Sequence, residues 1–288
     1  MPAIRKSNPI DTYRTELEQL ADWDDYLRRE SRLPGPRANL ELLEAVIQAG
    51  DGCRFAHLLA LDSGFPGGAP PNTPDEFLTV CAVAGLGKLV AEGDRAWLSV
   101  LRRRAGDPRW RVREAVAIAL QHWGDDDMRG LLNEMVGWRC GSWLEQRAAV
   151  AALAEPRLLR PTGVVDPTDA VLPIFDTITE CIVAAGAAAR RDPDYHVLRQ
   201  ALGYAWSVLV AANPSTCRPA FEHWLLRAES THDKDLLWVA RQNLKKNRLI
   251  VLDETWANCW TTRLATHVPG TSSGSSPSAV PGTLVEQL

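Results

Sequence analysis

Three tryptophans in this chain stand at or near the start of a predicted helix, each with an arginine about one turn further on. The pairs are Trp110 with Arg113, Trp143 with Arg147, and Trp238 with Arg241. An arginine guanidinium can stack on an indole ring, or it can hold a carboxylate or a phosphate. An exposed pair could stack on a nucleotide base or grip a peptide. A buried pair would instead belong to the packing between neighbouring helices.

Two groups of positive charge extend these pairs. The first surrounds Trp110 and includes a single acid, Asp107; its cations are Arg95, Arg102, Arg103, Arg104, Arg109, Arg111 and Arg113. The second is a stripe on one side of a predicted helix, formed by Trp238, Arg241, Lys245 and Arg248. Either group could attract phosphates or an acidic peptide. The alternative is a solvated face, with some arginines paired to the acidic first helix or to Asp125–Asp127.

Sequence motifs for catalysis or metal binding are missing. Nucleophile-elbow, zinc-protease and phosphate-loop patterns do not occur, and the six cysteines are scattered without zinc-site spacing. The run Gly85-Leu86-Gly87-Lys88 lies inside an apolar helix, which indicates close helix packing rather than a phosphate site. We therefore predict no catalytic residue, no metal ion and no cofactor.

Composition favours an ordinary soluble protein. The 288 residues carry a net charge of −4, with a calculated isoelectric point near 5.9, and they include eleven tryptophans. A protein that coats nucleic acid non-specifically is usually basic as a whole, so this charge argues against that role. Neither a signal peptide nor a membrane-spanning apolar run is recognisable, which predicts a cytoplasmic protein without a membrane partner.

Hydrophobic residues recur at helical spacing along most of the chain, and no segment alternates with the period of a strand. The pattern predicts an all-α protein. We expect an acidic helix over residues 11–32 followed by a linker to residue 37, a helical repeat domain over 38–265, and an unfolded Ser/Gly/Pro-rich tail over 266–288. Gly124 is expected to end the helix that Asp107 and Pro108 open.

The run Asp107-Pro108-x-Trp110-x-Val112-Arg113-x-Ala115 resembles the turn and second helix of a HEAT repeat. Residues 141–155 and 233–248 look like two further, degenerate copies. The resemblance implies an α-α superhelix, which would bind a macromolecule on its concave face without chemistry. A protein or peptide partner is the favoured expectation, and a purely structural or assembly role is another.

One branch of HEAT-like proteins, the DNA alkylation repair glycosylases, offers an alternative. The run LQHWGDDD at residues 120–127 is loosely similar to the Trp-then-Asp element of that family, with Gly124 interrupting its spacing. That resemblance implies a nucleic-acid partner, and it would make Asp125 or Asp126 the catalytic aspartate.

Overall fold

The computed structural model describes residues 8–161 and 166–265. These residues form fifteen α-helices and one short 3-10 helix, and no strand occurs among them. The predicted all-α class is therefore confirmed. The tail expected at residues 266–288 lies outside the described residues. None of the described helices is long and apolar enough to cross a membrane.

The chain divides into two compact units between Asp126 and Asp127. The boundary expected near residue 37 is not where the units separate, because the first two helices pack against later helices of the first unit. The helices of the first unit are α1 (Pro9–Glu18), α2 (Asp24–Glu30), α3 (Leu40–Ala49), α4 (Gly52–Ser63), α5 (Pro74–Ala91), α6 (Trp97–Ala105) and α7 (Trp110–Asp126).

Helix α5 forms the centre of the first unit. It is apolar on every side and buried along most of its length, and it packs against α2, α3, α4, α6 and α7. A helix that is hydrophobic all round must be surrounded by others, because no face of it suits water. The hydroxyl of Thr73 caps its first turn, and Pro74 occupies the first helical position, where a missing N–H costs nothing.

The single acidic helix expected over residues 11–32 is two helices, α1 and α2. The chain turns between them because the carboxylate of Asp22 accepts a hydrogen bond from the backbone N–H of Asp24 at 2.9 Å. The indole N–H of the buried Trp23 donates to the carbonyl of Leu17 at 2.9 Å, which closes the turn. Aspartate favours such side-chain-to-backbone turns over a continuous helix.

The expectation that Gly124 ends a helix is also wrong, because α7 continues through it to Asp126. Gly124 is buried, so a small residue fits there, and glycine inside a helix costs only about 1 kcal/mol relative to alanine. The helix ends instead where Asp127 accepts a hydrogen bond from the backbone N–H of Gly130 and caps the following helix.

The second unit contains α8 (Met128–Trp138), α9 (Trp143–Leu153), α10 (Pro167–Ala184), a 3-10 helix (Ala189–Arg191), α11 (Pro193–Ala212), α12 (Pro214–Thr231), α13 (Lys234–Leu244), α14 (Asn247–Leu252) and α15 (Glu254–Ala265). Helix α11 is its centre and packs against α9, α10, α12, α13 and α14. Residues 233–248, which resemble a degenerate repeat copy, are divided between α13 and α14, because Lys246 adopts an extended conformation.

Candidate functional site

In the predicted Trp110–Arg113 pair, the ring of Trp110 is stacked by a different arginine. The guanidinium of Arg111 stacks on the Trp110 ring at 4.5 Å from its centre. Arg113 instead donates to the carbonyl oxygens of Asp107 and Pro108, at 2.7 and 3.0 Å, so it closes the turn before α7. Trp110 is partly buried, and its face of α7 also carries the buried Glu114. These contacts are those of helix packing.

Two arginines of the first cationic group are held in a buried ionic network. Arg109 is 6% exposed, and its guanidinium donates to Asp62 at 2.7 Å and to Asp107 at 2.8 Å. Arg104 pairs with the same two carboxylates, at 2.7 and 3.0 Å. Thr79 and the backbone N–H of Ala69 also donate to Asp62, each at 2.9 Å.

The two acids of this network are strongly acidic. Burial by itself would raise the pKa of Asp62, but hydrogen bonds from Arg109, the Ala69 backbone and Thr79 outweigh it and hold that pKa well below its ordinary value. The pKa of Asp107 is lowered in the same way, against burial, by Arg109 and Arg104. Both carboxylates are therefore ionised at neutral pH, and they neutralise charge that the sequence alone assigns to a free cationic surface.

The remaining members of this group are divided between packing and solvent. Arg111 is buried and pairs with the buried Glu76 at 3.5 Å, and Arg95 stacks on Trp123 at 4.5 Å. Arg102 and Arg103 are exposed on α6.

Asp125 and Asp126, proposed from the glycosylase resemblance, are exposed at the end of α7. The neighbouring Trp123 is only 2% exposed, so its ring is not accessible to a nucleotide.

In the second unit, Arg147 is buried and Trp143 is partly buried. The Trp143 ring meets the edge of Tyr195 at 5.4 Å, and Arg147 is 3% exposed. Trp238 is paired with Arg199, whose guanidinium lies 4.6 Å from the ring centre, rather than with Arg241. Arg241 donates to the carbonyl of Leu264 on α15.

A second ionic network surrounds the start of α13. Asp235 is 2% exposed. Its carboxylate pairs with Arg190 at 2.9 Å and with Arg199 at 2.6 Å, and it accepts a hydrogen bond from the hydroxyl of Tyr195 at 2.9 Å. Asp233 caps the helix and pairs with Arg190 at 2.6 Å. As in the first unit, two carboxylates share two arginines in a buried or partly buried network.

Lys245 and Arg248 remain exposed, and neither side chain forms a hydrogen bond or ion pair with the described residues. Arg248 borders a groove of about 270 Å³. A second arginine, Arg160, borders the same groove and is likewise exposed and unpaired within the described part of the chain. The rest of the lining is apolar: Pro156, Leu159, Pro161, Val208, Ala211 and Ala212.

Exposed apolar side chains follow Arg248 on α14. Ile250 and Leu252 are partly exposed, and Val251 is 77% exposed. We call the groove lining the basic apolar groove; Ile250–Leu252 follow Arg248 in the chain but do not line it. Of its residues, the sequence predicted only Arg248. Arg160 and the run Ile250–Leu252 were missed, since an apolar run in a helical segment is typical of a buried face.

The basic apolar groove offers two arginines, unpaired within the described residues, to carboxylates and an apolar lining to apolar side chains. Arginine forms strong charge-assisted hydrogen bonds with carboxylates because its planar fork matches their geometry. The chain matches no protein-family model, and no curated protein or solved structure is significantly similar to it. The chemistry of the described residues is therefore the basis for a functional proposal.

Proposed function

We propose that this chain is a non-enzymatic scaffold of HEAT-like helical repeats that binds a protein or peptide partner. The observation that carries the proposal is the basic apolar groove of the second unit, in which Arg160 and Arg248 flank an apolar lining without internal partners. Most other arginines near the predicted binding residues are engaged within the fold. The partner is expected to present acidic side chains on both sides of apolar ones.

A synthetic peptide that alternates glutamate with leucine should bind the purified protein, as measured by fluorescence anisotropy of a fluorescein label. We expect Arg248→Glu and Arg160→Glu each to weaken binding at least about tenfold, because each removes a charge-assisted contact worth about 1.5 kcal/mol or more and adds repulsion. Ala211→Trp should also abolish binding, since Ala211 lines the groove, is exposed, and its replacement would fill it.

Arg191→Glu provides the matched control, because Arg191 is exposed in the same unit but does not line the groove. Its affinity should equal that of the unmodified protein. Equal weakening by Arg191→Glu and Arg248→Glu would show attraction by overall charge rather than a site. Equal binding of a peptide with glutamine in place of glutamate would contradict the proposed recognition of carboxylates.

A second candidate function, nucleic-acid binding, is favoured by the exposed neighbours Arg102 and Arg103 on α6. Labelled duplex and single-stranded DNA, titrated at low and moderate salt, tests it. Under the proposed function we expect weak binding without a steep salt dependence. Tight binding whose salt slope falls by about one for each of Arg102→Ala and Arg103→Ala would favour the alternative instead.

A further inference from the structure

In the first unit, the turn between α1 and α2 approaches the exposed face of α4. The imidazole Nε2 of His57 lies 3.0 and 3.1 Å from the two carboxylate oxygens of Asp24. One ligand atom from each of Asp22, Asp24 and His57 lies within 4.8 Å of the others. This is the only convergence of at least three such groups among residues 8–161 and 166–265.

The same three residues line a cavity of about 370 Å³, and Cys53 lines it with them. Cys53 is an exposed free thiol on α4, four residues before His57. Residues four apart in a helix lie on one face, about 5–6 Å apart at their Cβ atoms. The cavity thus brings together an imidazole and two carboxylates from two separate segments of the chain, and a thiol lines the same cavity outside that close group.

We propose that Asp22, Asp24 and His57 form a binding site for a divalent transition-metal ion of the zinc class, which Cys53, on the same cavity wall, completes as the fourth ligand by turning its side chain toward them. Imidazole nitrogen, thiolate sulfur and carboxylate oxygen are the ligands that Zn²⁺ takes in proteins, usually four in a tetrahedron. With bonds of about 2.0 Å, neighbouring nitrogen and oxygen ligands in a tetrahedron lie about 3.3 Å apart. The separation between His57 and Asp24 is already close to that value.

The surroundings suit a cation in spite of two nearby arginines, of which Arg28 pairs with Asp75 at 2.8 Å. Arg54 also lines the cavity, but its guanidinium is stacked on Trp23 at 4.1 Å and lies 3.4 Å from the carbonyls of Leu20 and Ala21. When the metal binds, Nε2 of His57 and the thiol of Cys53 lose their protons to solvent.

The sequence does not reveal this site, because its residues occur as two pairs more than thirty positions apart and neither pair forms a known motif. The site is independent of the basic apolar groove, which lies in the other unit. The expectation of no metal ion was based on the spacing of cysteines in the sequence, and that spacing does not bear on a site built from two distant pairs of residues.

Titration of the full chain with Co²⁺, followed by competition with Zn²⁺, tests the proposal. We expect one Co²⁺ per chain, with visible bands of four-coordinate Co²⁺ and a near-ultraviolet thiolate-to-cobalt charge-transfer band. Cys53→Ser should remove the charge-transfer band, and His57→Ala should weaken Zn²⁺ binding at least about tenfold. Both positions are exposed or partly exposed, and Cys53→Ser is nearly isosteric, so the fold should persist.

Cys259→Ser and His223→Ala are the matched controls, because both residues are exposed and lie in the second unit. Neither should change the spectrum or the affinity for Zn²⁺. The proposal is overturned if no Co²⁺ binds at micromolar concentration, or if Cys53→Ser leaves the charge-transfer band in place. It is also overturned if the control variants weaken binding as much as His57→Ala.

Discussion

Replacement of Asp62 by asparagine is expected to lower the free energy of unfolding of the first unit by about 3 kcal/mol. Asp62 is buried, and its carboxylate pairs with the guanidinium groups of Arg109 and Arg104. Asparagine has nearly the same shape but no charge, so the two guanidinium groups keep only Asp107 as a carboxylate partner. Removing one partner of a buried ionic network is costly because the remaining charge stays out of water. Urea unfolding followed by circular dichroism at neutral pH measures the loss.

The contribution of Asp62 to the free energy of unfolding depends on pH in a defined direction. The pKa of Asp62 is lower in the folded protein than the ordinary aspartate value of about 3.9. Its ionised form therefore stabilises the fold fully above that ordinary value, and this contribution is lost as the pH falls through the lower folded pKa. The difference between the original protein and the Asp62→Asn variant should shrink below about pH 4.

Asp25→Asn is the surface control for this experiment. Asp25 pairs with Arg28 at 3.2 Å, but its side chain is 99% exposed. Exposed ion pairs contribute between about zero and 1 kcal/mol, so the change should be small at every pH. An equal loss in both variants would contradict the structural importance assigned to the buried network.

Replacement of Gly87 by alanine is expected to destabilise the first unit by about 3 kcal/mol, in spite of alanine's better helix propensity. A Cβ atom at Gly87 would lie 2.0 Å from the backbone carbonyl oxygen of Ala119, so α5 and α7 would have to separate. A backbone atom cannot move aside as the end of a side chain can. Equilibrium unfolding in urea measures the change.

Gly52→Ala supplies the comparison within the same unit. Its Cβ would lie 3.8 Å from a methyl group of Leu89, which is ordinary contact, and Gly52 is the first residue of α4. We expect this variant to be as stable as the original protein or slightly more so. If Gly87→Ala were equally harmless, the close approach of α5 and α7 would not be a constraint on the sequence.

Local pattern was enough to predict the helical class and one feature of its packing. The run Gly85-Leu86-Gly87 indicated close packing. This is confirmed because the backbone of Ala119 leaves no room for a Cβ atom at Gly87. The turn between α1 and α2 was missed because it depends on the side chain of Asp22 and on the buried contact of Trp23 with Leu17. Hydrophobic spacing alone continues through such a turn.

The charged groups could be predicted only in part, because their partners are distant in sequence. Arg109 appeared unopposed except by Asp107, yet Asp62, 47 residues earlier, takes its charge. The basic apolar groove shows the converse: Arg160 and Arg248 come from separate segments of the chain, and only the fold brings them to the border of one groove. A count of charges within a short stretch of sequence shows neither the pairing of Arg109 with Asp62 nor the groove shared by Arg160 and Arg248.

The contacts of Arg109 also decide how the loop at residues 64–73 behaves over time. Its guanidinium donates to the carbonyl of Ala69 at 3.1 Å, while Asp62 accepts the Ala69 N–H. A loop rich in glycine and proline would ordinarily open often and be an early site of proteolytic cleavage. Here, opening of the loop requires breaking a buried ionic network. The amide hydrogen of Ala69 should therefore exchange with solvent slowly, at a rate like that of core amides rather than that of exposed loop amides.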